Sequence, residues 1–219
     1  MLTAAQGFFL VIEGLDGSGK TETARRLTTA LRAATPLGEE RVRLTYEPHD
    51  PSFGGEFIRQ VLRKEIAVSP RLLALAYAAN RADHLEREVL PFLAGGAGRV
   101  AISDRYYLSS LVYQTTPDLS TEYVMTLNAG SRPPDLTVFL DASAETCYQR
   151  ISRNRPTREL FDERLAEMRH KYEAAIAYLR QRGEQIVALN ADGTAEQVME
   201  AVLATLRDHA PAWLAMPPA

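Results

Sequence analysis

Little in this chain is in excess, and each scarcity removes a class of protein. A single cysteine, Cys147, leaves nothing to build an internal disulfide framework. Its neighbours Ala142, Ala144 and Tyr148 mark a packed helix, so the thiol reads as a small core residue in a reducing compartment. Charge is nearly balanced, with 25 Lys and Arg against 28 Asp and Glu and a net charge of −3. That balance argues against nucleic acid or an anionic membrane as a partner of the whole surface, so any affinity for phosphate must be local. No apolar run is long enough to cross a bilayer, and residues 1–7 carry no basic cluster leading into one, so a cytoplasmic protein is expected. No repeat or low-complexity tract is present. What is plentiful is apolar side chain: 46% of 219 residues, enough for one full core with small flaps over a ligand site.

Apolar runs at 8–12, 42–46, 100–103, 136–140 and 185–189 have the length and residue types of buried strands. Helical patterns fill 20–34, 54–63, 70–93, 144–153, 159–182 and 195–208, and Gly and Pro punctuate the junctions. Strands alternating with helices predict an α/β fold, a five-stranded parallel sheet covered by helices on both faces, because parallel strands need long crossovers. Ligands of such sheets bind beyond the carboxyl ends of the strands. The segment after Pro211 reads as a surface tail.

Residues 14–21 read GLDGSGKT, a phosphate-binding loop placed between a strand and a helix, where that motif has its physical meaning. Gly14, Gly17 and Gly19 free the backbone so that the amides of Leu15, Asp16 and Ser18 and their neighbours can turn toward phosphate oxygens. Lys20 is expected to reach the β- and γ-phosphates of ATP, and Thr21 to offer a hard oxygen to Mg2+. GTPases and transporter ATPases share this loop, but the chain has no Asn-Lys-x-Asp guanine reader and no Leu-Ser-Gly-Gly-Gln signature. Small-molecule kinases remain. At the end of strand 100–103, Asp104 can hold a magnesium-bound water and Arg105 can bridge phosphate oxygens with its planar fork.

The segments DRYYLSSLVYQ at 104–114 and YAANRADHLE at 77–86, together with RPPDLTVFLD at 132–141 and the phosphate loop, resemble the thymidylate kinase family across nearly the whole chain. The resemblance implies a three-layer P-loop NTPase fold in one domain, 1–219, with an acceptor-binding region at about 46–114 and a small arginine-rich lid at about 150–160. It implies phosphorylation of dTMP to dTDP by ATP, with a homodimer as the assembly. Leu72, Leu75, Ala79, Ala82 and Val89 form an apolar stripe at helical spacing, while Tyr77 and Arg81 fall on the opposite side. In the family those positions flank the base, so Tyr77 is expected to stack on thymine and Arg81 to donate to its carbonyl. Ser110, Tyr113 and Gln114 share one helical face and match positions lining base and sugar. Tyr113 is the expected gate against a 2′-hydroxyl. Asp16 matches the loop acid that orients the acceptor, and Arg59 an acceptor-phosphate ligand. The family often carries an arginine before Glu-Pro; here Tyr46 precedes Glu47 and Pro48.

Arg150, Arg153, Arg155 and Arg158 crowd around Pro156, which forbids an unbroken helix and predicts a flap. Some thymidylate kinases carry a catalytic arginine inside the phosphate loop; Gly17 and Ser18 stand there instead, so Arg153, Arg155 and Arg158 are expected to supply that charge as the lid closes. Two rival readings stand beside this one. A deoxynucleoside kinase would use Glu47 as the base that deprotonates a hydroxyl. A sensor or scaffold protein would bind ATP without turnover.

Overall fold

The computed structural model describes residues 7–34, 38–96, 98–151, 158–212 and 214; of Glu39 and residues 158–164 only the backbone is described. Five parallel strands form one sheet: β1 (Phe8–Gly14), β2 (Val42–Tyr46), β3 (Val100–Asp104), β4 (Leu136–Asp141) and β5 (Ile186–Asn190). Their order is β2-β3-β1-β4-β5. β1 is central and every one of its residues is buried, the pattern of a strand covered on both faces.

The helices are α1 (Lys20–Ala34), α2 (Gly38–Arg41), α3 (Gly55–Leu62), α4 (Pro70–His84), α5 (Leu90–Ala94), α6 (Tyr107–Tyr113), α7 (Thr121–Leu127), α8 (Ala144–Arg150), α9 (Arg158–Gln181) and α10 (Ala195–His209). Helices α1 and α10 pack together on the sheet. Across it, α9 inserts Tyr172 against Phe139 and Glu13 and buries Ile176 and Leu179, as its apolar spacing predicts. Cys147 lies in the core, and burial pushes its thiol up to about 11.

Four departures from the sequence expectation are instructive. The helix expected at 70–93 is α4 and α5 joined by a π-turn at Leu85–Val89, where the Leu90 amide reaches back to the Leu85 carbonyl. Pro91 explains the widening, because its ring lacks an amide donor and crowds the carbonyl one turn earlier. The apolar stripe of α4 is not its packed face: Leu72 and Leu75 are 46% and 43% exposed, whereas Asn80, Arg81 and His84 are buried. Only Val89, in the π-turn, joins the core. The expected helix at 144–153 stops at Arg150, with Ile151 already extended. Finally, Leu214 is buried, so the segment after Pro211 is held to the body at least there. Among the described residues no helix is long and apolar enough to cross a membrane.

Candidate active site

All the chemistry collects at the carboxyl edge of the sheet, where β1, β2 and β3 release their loops side by side. β1 runs into the phosphate loop, and Gly17 shows why glycine is required there. Its φ is +87°, and a side-chain carbon would meet the Cys147 carbonyl of α8 at 2.5 Å. Lys20, on the first turn of α1, is buried and lies 3.3 Å from both the Leu15 carbonyl and Asp16 Oδ1. Burial, and then the charge of Arg105, pull its pKa below the ordinary value; Asp16, Asp104 and Glu13 oppose them. Thr21 Oγ1 donates to Asp104 Oδ2 at 2.5 Å, joining β3 to the loop, while Asp104 Oδ1 is buried without a hydrogen-bond partner among the described residues.

Arg105 follows with φ +73°, a left-handed backbone that costs a non-glycine residue about 1–3 kcal/mol. The surrounding bonds hold it there. Its amide donates to the Ile12 carbonyl at 3.0 Å, and its guanidinium donates to Asp16 Oδ1 at 2.5 Å and Ser109 Oγ at 2.9 Å. The acid of the phosphate loop and the arginine after β3 therefore form one bridge across the mouth of the cleft.

Glu13 anchors that bridge from below, a role that motif and spacing do not reveal. Fully buried at the end of β1, it accepts from the amides of Tyr106 and Ser109 at 2.8 and 3.0 Å and from Ser109 Oγ at 2.8 Å. Burial raises its pKa, and Arg105 and these bonds work against the rise. A signal for it does exist in the chain: an acidic residue in an otherwise apolar strand buried on both faces must have partners.

A second cavity, of about 460 Å³, opens beyond Arg105 between α4 and α6. Tyr77, Arg81, Ser110, Tyr113 and Gln114 all line it, as do Asp16, Glu47 and Arg59. Gln114 is buried and its Oε1 has no partner among the described residues. Tyr113 sits at the rim with its ring 5.5 Å from the Arg105 guanidinium carbon. Arg81 is held from three sides. Its Nε donates to Glu47 Oε2 at 2.7 Å, one terminal nitrogen to Asn128 Oδ1 and the other to Ser110 Oγ at 3.0 Å. A guanidinium has five N–H donors, so one hydrogen remains on each terminal nitrogen. Asn128, just beyond α7, is a second residue the sequence does not disclose; it lies in an Asn-Ala-Gly stretch that reads only as a turn.

Arg59 donates to Asp50 Oδ1 at 2.7 Å and to the Pro48 carbonyl at 3.3 Å at the cleft wall. Tyr46, where the family often has arginine, lines the same wall and reaches Asp50 at 3.4 Å. On the donor side, a cavity of about 470 Å³ is lined by residues 17–23, Arg26, Arg150, Ile151, Ala195 and Val198. Arg150 is no lid residue. It ends α8 and donates to the carbonyls of Ser18, Ala191 and Gly193 at 3.1, 2.9 and 2.7 Å, clamping the phosphate loop to the loop after β5. Arg153 and Arg155 lie outside the described residues, and of Arg158 only the backbone is described, in the first turn of α9. A larger cavity of about 880 Å³ lies at the opposite edge of the sheet, lined by Pro133, Pro134, Glu184 and Gln185, away from all of these groups.

The family model described as Thymidylate kinase matches residues 12–202. A protein of Pyrococcus abyssi (strain GE5 / Orsay) named "Probable thymidylate kinase" is 34% identical over 209 residues, covering 92% of this chain and 97% of that protein. The thymidylate kinase of Lactobacillus acidophilus (strain ATCC 700396 / NCK56 / N2 / NCFM) is 31% identical over 218 residues, covering 94% and 96%. Among solved structures, the thymidylate kinase of Ehrlichia chaffeensis superposes with a TM-score of 0.69 over 92% of this chain and 99% of that one; at 23% identity, that likeness speaks to fold. A phosphate loop bridged to an arginine after β3, a side pocket beyond it, and a family match over most of the length converge on one assignment: this chain belongs to the thymidylate kinase family.

Proposed function

We propose that the protein transfers the γ-phosphoryl group of ATP to dTMP, giving ADP and dTDP. The observation that carries this reading is continuity. The donor cavity and the central cleft share Lys20 and Thr21, and the cleft and the side pocket share Asp16, Glu47, Arg59 and Arg105. A nucleoside monophosphate seated in the side pocket would present its phosphate to Arg59 and Arg105 while its base meets Tyr77, Arg81 and Gln114. Tyr113 at the rim would stand against the sugar and disfavour a 2′-hydroxyl. Lys20 and the loop amides would hold the donor phosphates, and Arg153, Arg155 and Arg158 would add charge over the transferring group.

Thr21 and Asp104 fit a magnesium ion: two hard oxygens in contact, with one buried carboxylate oxygen lacking a partner among the described residues. Bound there, the ion would neutralise phosphate charge. The acceptor oxygen is anionic and needs no base. Glu47 accordingly does other work, since it is buried and one of its carboxylate oxygens is taken by Arg81. That placement favours the monophosphate acceptor over a nucleoside. The exposed stripe of Leu72, Leu75 and Ala82 on α4 supports a homodimer, with this face covered by a second copy. The cytoplasm is the compartment that suits the single unpaired thiol.

Incubation with Mg-ATP and, in separate reactions, dTMP, thymidine, dUMP, dCMP and dAMP, with products resolved by chromatography, tests the reading. Fastest conversion of dTMP to dTDP supports it; conversion of thymidine but not dTMP overturns it.

A further inference from the structure

The side pocket has a second layer that the chemistry above does not use. Tyr77, Arg81 and His84 lie four and then three residues apart, so they share one face of α4. Tyr77 and Arg81 line the pocket; His84, 1% exposed, lies one turn farther in. One ring nitrogen, Nε2, is 2.7 Å from Thr45 Oγ1 on β2. The other, Nδ1, faces Glu47 Oε1 at 3.6 Å, beyond hydrogen-bond length, and neither of these two buried atoms has a hydrogen-bond partner among the described residues. Glu47 Oε2 is the oxygen that holds Arg81 Nε.

A carboxylate oxygen accepts, so Nδ1 can serve Oε1 only as the nitrogen that carries hydrogen, with Nε2 then accepting from the Thr45 hydroxyl. Polar groups thus run in line from Thr45 to His84 to Glu47 to Arg81, with Arg81 bonded to one oxygen of the buried carboxylate and His84 facing the other. Orientation of the ring is enforced from its flat side. His49 stacks on it with centroids 4.1 Å apart and planes 18° from parallel. His49 is itself tied to Ser52 Oγ at 2.8 Å and, through its amide and carbonyl, to the Asn80 side chain at 2.8 Å each. Burial lowers the pKa of His49, favouring a neutral ring against its neighbour. His49, His84 and Glu88 also bring metal-ligand atoms within 4.8 Å of one another. The stacking speaks against that use, because an ion between near-parallel rings would lie out of the plane of both lone pairs.

We propose that His84 is a positioning residue for the acceptor base: by holding Glu47 it keeps the free N–H groups of Arg81 turned into the pocket. The proposal rests on the reading of that pocket as the dTMP site. It concerns binding common to ground and transition states, so its mark is KM for the acceptor with kcat spared.

Two near-isosteres separate positioning from bulk. Asn places its amide nitrogen where Nδ1 was and keeps a donor for Glu47; Gln reaches the Nε2 position and keeps only the Thr45 side. His84→Gln is expected to raise both KM and the dissociation constant for dTMP about tenfold, the loss of the only polar group facing Glu47 Oε1 among the described residues, with kcat and KM for ATP within about twofold. His84→Asn is expected to stay within about threefold of the wild type, and His84→Gln placed on Glu47→Gln to add nothing further. Thr45→Val, which frees the ring without removing it, shifts KM in the same direction by a smaller factor and carries the test if the His84 variants do not fold. The proposal is overturned if Asn and Gln are equivalent, if kcat falls with KM unchanged, or if Thr45→Val leaves KM for dTMP unaltered. Calorimetric titration of wild type with dTMP separates the two levels: a wild type that neither binds nor phosphorylates dTMP removes the pocket reading and this inference together. A wild type that binds dTMP, with variants that bind it equally, removes the inference alone.

Discussion

The two halves of the cleft are built by opposite means. The donor half is made of backbone: eight consecutive residues, 14–21, whose amides, one lysine and one hydroxyl are the groups proposed to hold phosphate and metal, with Arg150 tying three carbonyls around them. The acceptor half is made of side chains from separate segments, where Arg81 alone gathers Glu47, Ser110 and Asn128. A backbone site tolerates changes in most of its side chains and fails when a glycine or the lysine changes. A side-chain lattice degrades gradually, one bond at a time, and through affinity more than rate.

That contrast orders the expected effects. Lys20→Ala, striking the donor half at its one indispensable side chain, should lower kcat by about a thousandfold or more, read by coupled ADP release. Arg153→Ala or Arg155→Ala should lower kcat by about a hundredfold with modest change in KM for ATP; near-normal turnover in both would remove those arginines from the mechanism. Glu47→Gln should raise KM for dTMP about tenfold while sparing kcat, because a bond to Arg81 is weakened and no proton is being abstracted. A collapse of kcat would instead make Glu47 a base and move its role across the comparison. Smallest of all, Tyr113→Ala should narrow the preference for deoxyribo- over ribonucleotide by a few-fold, measured as the ratio of kcat/KM for the two sugars. An unchanged ratio would strip Tyr113 of its gating role.

The same contrast explains which parts of the molecule are legible in the amino-acid sequence. The phosphate loop is contiguous, so its spacing carries its geometry, and the five strands follow from apolar runs too short and too β-rich for helices. Family resemblance groups Tyr77, Arg81, Ser110, Tyr113 and Gln114, and they line one pocket. Local pattern cannot supply the lattice behind them. Asn128 and Glu47 meet Arg81 across 47 and 34 residues of chain, and no local spacing rule encodes such distances. Helix α4 misleads for a physical reason: its buried face is the polar one, with Tyr77 and Arg81 lining the side pocket, while Leu72 and Leu75 of its apolar stripe are exposed. Glu13 is the residue that sequence reasoning could have found, a carboxylate in a wholly buried strand.

The central claim is that the two halves are one cleft, joined where Asp16 meets Arg105, so that both substrates are held together and the phosphoryl group passes directly between them. Initial rates measured over a grid of ATP and dTMP concentrations test this most directly. A common cleft predicts double-reciprocal lines that intersect; parallel lines, the mark of a phosphorylated enzyme formed before the acceptor binds, would contradict it.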